Sequence, residues 1–294
     1  MIYRNIFTEY YFKIYLQKRF DLILIIGKRC NLTTCIQKQS SKTISFSTDD
    51  ILQNINCLDK FKNEKITILF NNFQAANRLW DIEDICGFVD KSIVATARVL
   101  DHIKYFTNIQ KIIYTSSSSV YGDNACCKEN DVPHPINLQA SLKLSNEFFI
   151  KQYCNKYNMN YTILRIFNMY GQNDNFSIIS KIIKAVQDQE TINLINNGAG
   201  VRDFIHVDDV VSIIMKVVGI QNLPILNVGI GEKKSVKDII DYLYTNHINI
   251  KINNIINDNE IKISIANTEL LRKFFTKEFI KVQDYILQVL NKQE

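Results

Sequence analysis

Five short runs along the chain are apolar almost without interruption: LILIIG at 22–27, ITILF at 66–70, KIIYTSS at 111–117, YTILRIF at 161–167 and ILNVG at 225–229. A strand with one wet face alternates apolar and polar residues. Continuous apolar runs instead fit strands covered on both faces, as in a parallel sheet. Between the runs, apolar residues recur at helical spacing. This predicts helices near 8–19, 88–106, 139–157, 176–188, 207–219 and 235–246, with two more near 267–275 and 278–291. Strand and helix therefore alternate, which predicts an α/β fold with a doubly wound parallel sheet. Beyond about residue 170 the pattern loses regularity, and a smaller second lobe is expected over 171–294. The main domain is expected over 1–170, receiving about 202–220 as well.

Composition narrows the class only a little. The 294 residues are 46% hydrophobic and 22% charged, ordinary values for a globular chain. The net charge of +5 is spread without a basic run, which argues against nucleic acid as a partner. No apolar run reaches the ~18 residues of a membrane span, and no signal peptide is recognisable. Seven cysteines, at 30, 35, 57, 86, 126, 127 and 154, form no CxxC pair and no zinc spacing with histidine. No metal site is expected, and reduced thiols point to the cytoplasm.

The candidate chemistry lies at the ends of the predicted strands. KIIYTSSSSVYG places serines directly after a strand, and NLQASLK opens the 139–157 helix with Gln139 and Lys143 four residues apart on one face. LRIFNMYG, RDFIHVDDV and ILNVGIGEKKSV follow in order. Order, spacing and wording of this series, over roughly 6–245, resemble the extended short-chain dehydrogenase/reductase family, and within it the NAD-dependent nucleotide-sugar epimerases and dehydratases. The fold implied is Rossmann-like, with an NAD(P)-binding-type main domain and a nucleotide-sugar-binding lobe.

The resemblance assigns roles by position. Ser117 takes the place of the family's Ser/Thr, Lys143 that of its lysine, and Gln139 that of the tyrosine that gains and loses the proton. An amide has no titration near neutrality and cannot be that base. General acid–base catalysis contributes ~10²–10⁴-fold, so the usual chemistry is expected to be impaired. On the cofactor side, Lys28 and Arg29 follow a strand where a basic residue suits a 2′-phosphate, and Asp50 and Ile51 resemble the pair that contacts adenine. Ser92 and Lys143 complete the expected NAD(P) set. The Gly-rich turn is missing: a helix starts by residue 8, the first glycine is Gly27, and Ile6-Phe7-Thr8 match the end of that turn. The first strand is therefore expected to be missing as well. Phe73 and Gln74 stand in the small-residue turn after ITILF. On the substrate side, Asn168 and Arg202 match residues that meet the nucleotide-sugar phosphates, and Tyr121 borders the cleft; a guanidinium suits a diphosphate.

Each residue also has a plainer reading: Lys143 as a solvated helix lysine, Arg202 in a surface ion pair with Asp203, Asn168 and Asp50 as caps, His206 as a structural residue. Three functions stay open. One is an epimerase or dehydratase of a nucleotide-linked sugar, serving cell-surface polysaccharide synthesis, with Tyr114 or Tyr121 as substitute base. The second is a non-catalytic relative that binds a nucleotide sugar or pairs with a partner subunit, as a homo- or heterodimer through the 88–106 and 139–157 helices. The third is the product of an N-terminally truncated gene.

Overall fold

The structure is a computed structural model and describes residues 22–72, 84–258 and 260–291. All five apolar runs become strands of one parallel sheet, joined by a sixth that the pattern did not announce. The order across the sheet is Thr43–Phe46, Leu22–Ile26, Ile66–Phe70, Ile109–Ser117, Tyr161–Ile166, Ile225–Val228. The chain leaves Leu22–Ile26 for the edge strand on one side, then crosses back to Ile66–Phe70 on the other. The winding therefore reverses between these two strands. In doubly wound folds the crevice at such a reversal, beyond the strands' carboxyl ends, is where ligands sit.

No gap in the sheet marks a lost first strand, because Leu22–Ile26 is paired along both edges. The predicted helix at 8–19 and the residues Ile6-Phe7-Thr8, Phe73 and Gln74 lie outside the described residues. The unannounced strand Thr43–Phe46 is an edge strand of four half-buried residues, TISF, too short and too mixed to show as an apolar run. The helix before it, Asn31–Gln39, also escaped the pattern, since NLTTCIQKQ buries only Leu32, Thr33, Cys35 and Ile36.

Two apolar layers cover the sheet. One packs Ile23, Ile25, Leu69, Ile113 and Leu164 against the helices Asn31–Gln39 and Val207–Val218. The other packs Leu24, Ile26, Ile68, Phe70 and Tyr114 against Ala95–Ile103 and Leu138–Lys156. A third cluster joins Tyr170 to the helices Ile178–Gln187, Val236–Thr245 and Val282–Asn291. The predicted 88–106 helix contains a π turn at Asp90–Val94. There the Ser92 carbonyl takes hydrogen bonds from Thr96 Oγ1 (2.7 Å), Asn72 Nδ2 (3.0 Å) and Asn146 Nδ2 (3.3 Å). A widened turn freeing a carbonyl for three side-chain donors is a local feature no periodicity predicts.

One buried ion pair pins the 138–156 helix to the sheet. Arg165 donates through Nε (3.1 Å) and Nη2 (2.7 Å) to the two oxygens of Glu147, and both side chains are almost wholly buried. Ser116 Oγ donates to the same carboxylate at 2.5 Å, and the Tyr121 ring lies 4.6 Å from the guanidinium. With Nη1 donating to the Glu129 carbonyl at 3.4 Å, each guanidinium nitrogen and each carboxylate oxygen has a hydrogen-bond partner, as a buried pair requires.

Candidate functional site

The helix Leu138–Lys156 begins at Asn137, whose Oδ1 caps it by accepting from the Ala140 N–H at 2.9 Å. That cap aims the first turn of the helix at the carboxyl ends of the central strands. Gln139 and Lys143, on one helical face, come together in a small cleft with Asn72, Phe88, Ser92, Tyr114, Leu138 and Leu142. Its enclosed room is about 20 Å³, enough for a water molecule.

Lys143 is buried and donates from Nζ to the Thr115 carbonyl at 2.7 Å, with its ammonium 5.0 Å from the Tyr114 ring. Burial pulls its pKa down to about 7. The solvated-lysine reading is therefore ruled out. Ser117 lies at the end of its strand, where its Oγ accepts from the Ser119 N–H (3.2 Å) and hydroxyl (2.9 Å). It caps the short turn Ser118–Tyr121 and is not among the residues lining the cleft with Gln139 and Lys143.

Neither tyrosine weighed as a substitute base is placed for that work. Tyr114 lines the cleft, but it is wholly buried, which drives its pKa far up, and its hydroxyl accepts from Asn146 Nδ2 at 3.3 Å. Tyr121 donates its proton to Asn227 Oδ1 at 2.7 Å, and burial pushes its pKa up as well.

The residues expected around a dinucleotide divide into three groups. Lys28 and Arg29 are exposed, and Arg29 lies 3.9 Å from Asp49. Asp50 closes a capping box with Ser47: its carboxylate accepts from the Ser47 N–H at 2.8 Å, and its own N–H donates to Ser47 Oγ at 3.0 Å. Hydrogen bonds from the Ser47 N–H, and after it from the Ser47 side chain, to the carboxylate hold the Asp50 pKa down, and Ile51 is buried in the core. This pair is thus engaged in starting the helix Thr48–Gln53. Ser92 lines the cleft, with its hydroxyl donating to the Phe88 carbonyl at 2.6 Å.

At the winding reversal itself the chain fills its own crevice. Asn71 extends from the end of Ile66–Phe70 and donates from Nδ2 to Cys30 Sγ and to Thr33 Oγ1, each at 2.8 Å. Thr33 Oγ1 donates to the Gly27 carbonyl at 2.6 Å, and its N–H donates to Cys30 Sγ at 3.3 Å. Thr115 Oγ1 donates to Asn71 Oδ1 at 2.9 Å, and its carbonyl receives Lys143. Sequence reasoning missed Cys30, Thr33, Asn71 and Thr115. The one available signal was a polar residue directly after an apolar strand (Asn71), at the start of the helix that follows one (Cys30, Thr33) or near the end of one (Thr115). These residues do not fit a dinucleotide, because the side chains of Cys30, Thr33 and Asn71 bond one another where its phosphates would lie, and Cys30 takes the Thr33 N–H.

Neither Asn168 nor Arg202 is among the residues lining the cleft of Gln139 and Lys143. Asn168 Nδ2 donates to the Asp203 carbonyl at 3.1 Å, where Asn168–Tyr170 pairs with Phe204–His206. Arg202 does not pair with Asp203. It reaches Glu260 at 3.2 Å, and each side chain keeps 18% of its surface exposed. Asn196 Nδ2 holds the other Glu260 oxygen at 3.0 Å. Asp203 instead accepts three backbone N–H groups, from Ile230, Gly231 and Ala266, yet burial pushes its pKa up to about 6. His206 caps the helix Val207–Val218 by accepting from the Asp208 N–H at 3.2 Å, a structural role. Among the described residues no cluster of His, Cys, Asp and Glu could hold a metal, and no helix is long and apolar enough to cross a membrane.

A doubly wound parallel sheet with a lysine-bearing helix over its carboxyl edge defines a Rossmann-like protein of the dehydrogenase/reductase type. Residues 16–229 match the profile of the NAD dependent epimerase/dehydratase family, and the chain belongs to that family. It is similar to Protein CapI of Staphylococcus aureus, 35% identical over 172 residues, 57% of this chain and 51% of CapI. It is also similar to UDP-glucuronate 4-epimerase of Thermodesulfobacterium geofontis, 26% identical over 166 residues, 55% of this chain and 51% of the relative. The match thus spans about half the length of these curated relatives. Among solved structures, UDP-glucuronic acid 4-epimerase from Bacillus cereus, in complex with UDP-glucuronic acid and NAD, superposes with a TM-score of 0.81 at 20% identity, covering 92% of this chain and 99% of that one. At this identity the likeness is one of fold.

Proposed function

We propose that this chain recognises a nucleotide-linked sugar through Asn168 and Arg202, and that its Gln139–Lys143 centre does not turn that sugar over. One observation carries the proposal. Gln139, which lines the cleft with the buried Lys143, is an amide; Tyr114 there is kept protonated by burial, and Tyr121 is not among the lining residues and gives its proton to Asn227. A hydroxyl in the cleft could accept a hydrogen bond from Gln139 but could not lose its proton to it. Arg202 supports the recognition half, since a guanidinium is a bidentate partner for a diphosphate and here is partly open to solvent. The relatives support a sugar joined to uridine diphosphate, and a place in cell-surface polysaccharide synthesis belongs to the same reading.

The test is a titration of the full chain with UDP-sugars, followed by assay for epimerised or dehydrated product. Saturable binding without product is expected. Gln139→Tyr is expected to remain without product, because a tyrosine alone does not reopen the filled crevice. Product from either protein would overturn the proposal.

A second observation supports a paired chain. Phe148 and Phe149 lie on the 138–156 helix, 55% and 45% exposed, while Ile150 on the same helix is wholly buried. The helix thus has apolar residues on both its covered and its outward face. Two adjacent exposed phenylalanines suit a partner surface. A dimer is expected in analytical ultracentrifugation, and a monomer at all concentrations would remove this part of the reading.

A further inference from the structure

The strand Leu22–Ile26, the turn after it and the helix Asn31–Gln39 deserve comparison with a phosphate cradle. The strand is the second from one edge of the sheet, next to the winding reversal. The helix starts at the carboxyl edge of the sheet and packs against Val207–Val218. The turn reads Gly27-Lys28-Arg29-Cys30-Asn31-Leu32-Thr33, a glycine with Cys and Thr at the third and sixth positions after it. In the family that the sequence resembles, the turn Gly-x-x-Gly-x-x-Gly carries glycine at each of these three positions. The first makes the tight turn, the second lets backbone approach the pyrophosphate, and the third lets helix and strand pack closely.

Gly27 still serves as the first: its φ is +123°, and a Cβ there would lie 2.0 Å from the Asn71 carbonyl oxygen. The other two positions carry side chains, and both fold into the crevice. Cys30 is the N-cap of the helix, and its sulfur takes the Thr33 N–H, one of the first-turn donors that would otherwise face an anion. Thr33 bonds the Gly27 carbonyl, and Asn71 donates to both residues from across the reversal. Thr115 then links Asn71 to Lys143.

We propose that residues 22–39 occupy the place of the fold's cofactor-binding unit, and that Cys30, Thr33 and Asn71 close its crevice so that no dinucleotide enters. The side chains of Cys30, Thr33 and Asn71 and the Thr33 N–H thus bond one another in the space where a pyrophosphate would lie. Lys143 belongs to the same internal relay, so the closure reaches from the turn to the cleft at Gln139. The proposal concerns the cofactor side alone. UDP-sugar binding measured in parallel reads the other side, so the two can fail separately.

The experiment uses the full chain. NADH and NADPH are titrated by calorimetry to about 1 mM, the weak end of measurable affinity. Modification of Cys30 by a thiol reagent is followed in parallel, with Cys30→Ser identifying its signal. No saturable binding and no protection of Cys30 are expected. Binding of either cofactor, or protection of Cys30 by it, overturns the proposal. The double variant Cys30→Gly/Thr33→Gly is expected to gain at least about tenfold in NADH affinity. If that variant folds, judged by circular dichroism, and gains nothing, the two side chains are not what closes the crevice and the proposal fails. If it does not fold, the titration of the unsubstituted chain decides by itself.

Discussion

Two arginines of this chain face glutamates, and they behave as opposites. Arg165 and Glu147 are 3% and 4% exposed, joined by two hydrogen bonds and further held by Ser116 and Tyr121. Arg202 and Glu260 are each 18% exposed, joined by one contact of 3.2 Å. In the first pair all three guanidinium nitrogens and both carboxylate oxygens are hydrogen-bonded within the protein. In the second, the guanidinium retains a solvated edge. The contrast separates an arginine that builds the fold from one that can still recognise something. It also explains why motif wording alone misleads: LRIF and RDFI both offer an arginine within a strand, and only burial tells them apart.

The sharpest way to break this contrast is to remove each glutamate. Glu147→Ala leaves a buried guanidinium without its counter-charge, so stability should fall by about 3–5 kcal/mol. Glu260→Ala removes a partly solvated pair and should change stability by no more than about 1 kcal/mol. Urea unfolding of both variants measures the difference. Equal losses would mean that the Arg202 pair is as much a part of the fold as the Arg165 pair.

The next effect falls on binding. Arg202→Ala should leave the fold intact and weaken a UDP-sugar by roughly 10–100-fold, the loss of a hydrogen bond to a charged group at about 1.5–3 kcal/mol. Arg202→Lys should recover only part of that, because an ammonium cannot make the forked contact. Calorimetric titration reads both. A UDP-sugar that binds Arg202→Ala as tightly as the unsubstituted chain would place recognition elsewhere.

The same contrast marks what the sequence could reveal. The five buried strands were legible because LILIIG, ITILF and their counterparts are covered on both faces. The helix Leu138–Lys156 was legible to within a residue because its cap and its length agree. The edge strand Thr43–Phe46 was not, since half-buried residues carry no strong pattern. In the site, Gln139 and Lys143 were readable from their spacing, and they do share a cleft. Asp50 was readable as a polar residue after a strand, but a helix cap and an adenine contact ask for the same residue type, and the capping box decides for the cap. The crevice residues Cys30, Thr33, Asn71 and Thr115 were illegible for another reason. Their meaning lies in bonds between segments 38 to 44 positions apart, as in Thr33 to Asn71 and Asn71 to Thr115. Only folding brings these together.

Lys143 offers the smallest effect and the most specific. Its folded pKa is pulled down to about 7 by burial, while in the unfolded chain it returns to the ordinary lysine value. Between these values the unfolded chain holds a proton that the folded chain has released. Stability therefore rises with pH, by up to about 1.4 kcal/mol per pH unit for one full proton, and levels off below pH 7, where both states are protonated. Lys111, buried against the Val217 and Ile220 carbonyls with its pKa lowered to about 8, adds a slope of the same sign that begins higher. Buried thiols act in the opposite direction. Cys127, held up to about 11, and Cys154, held up to about 12, keep protons that unfolding releases once the pH nears the ordinary thiol value. The useful window is therefore about pH 7–8.5. Lys143→Met keeps the stem and removes the titration, so urea unfolding across that window should show a flatter rise in stability for the variant. An unchanged slope would mean that Lys143 keeps its proton in the folded chain, and that its relay through Thr115 to Asn71 holds an ammonium throughout.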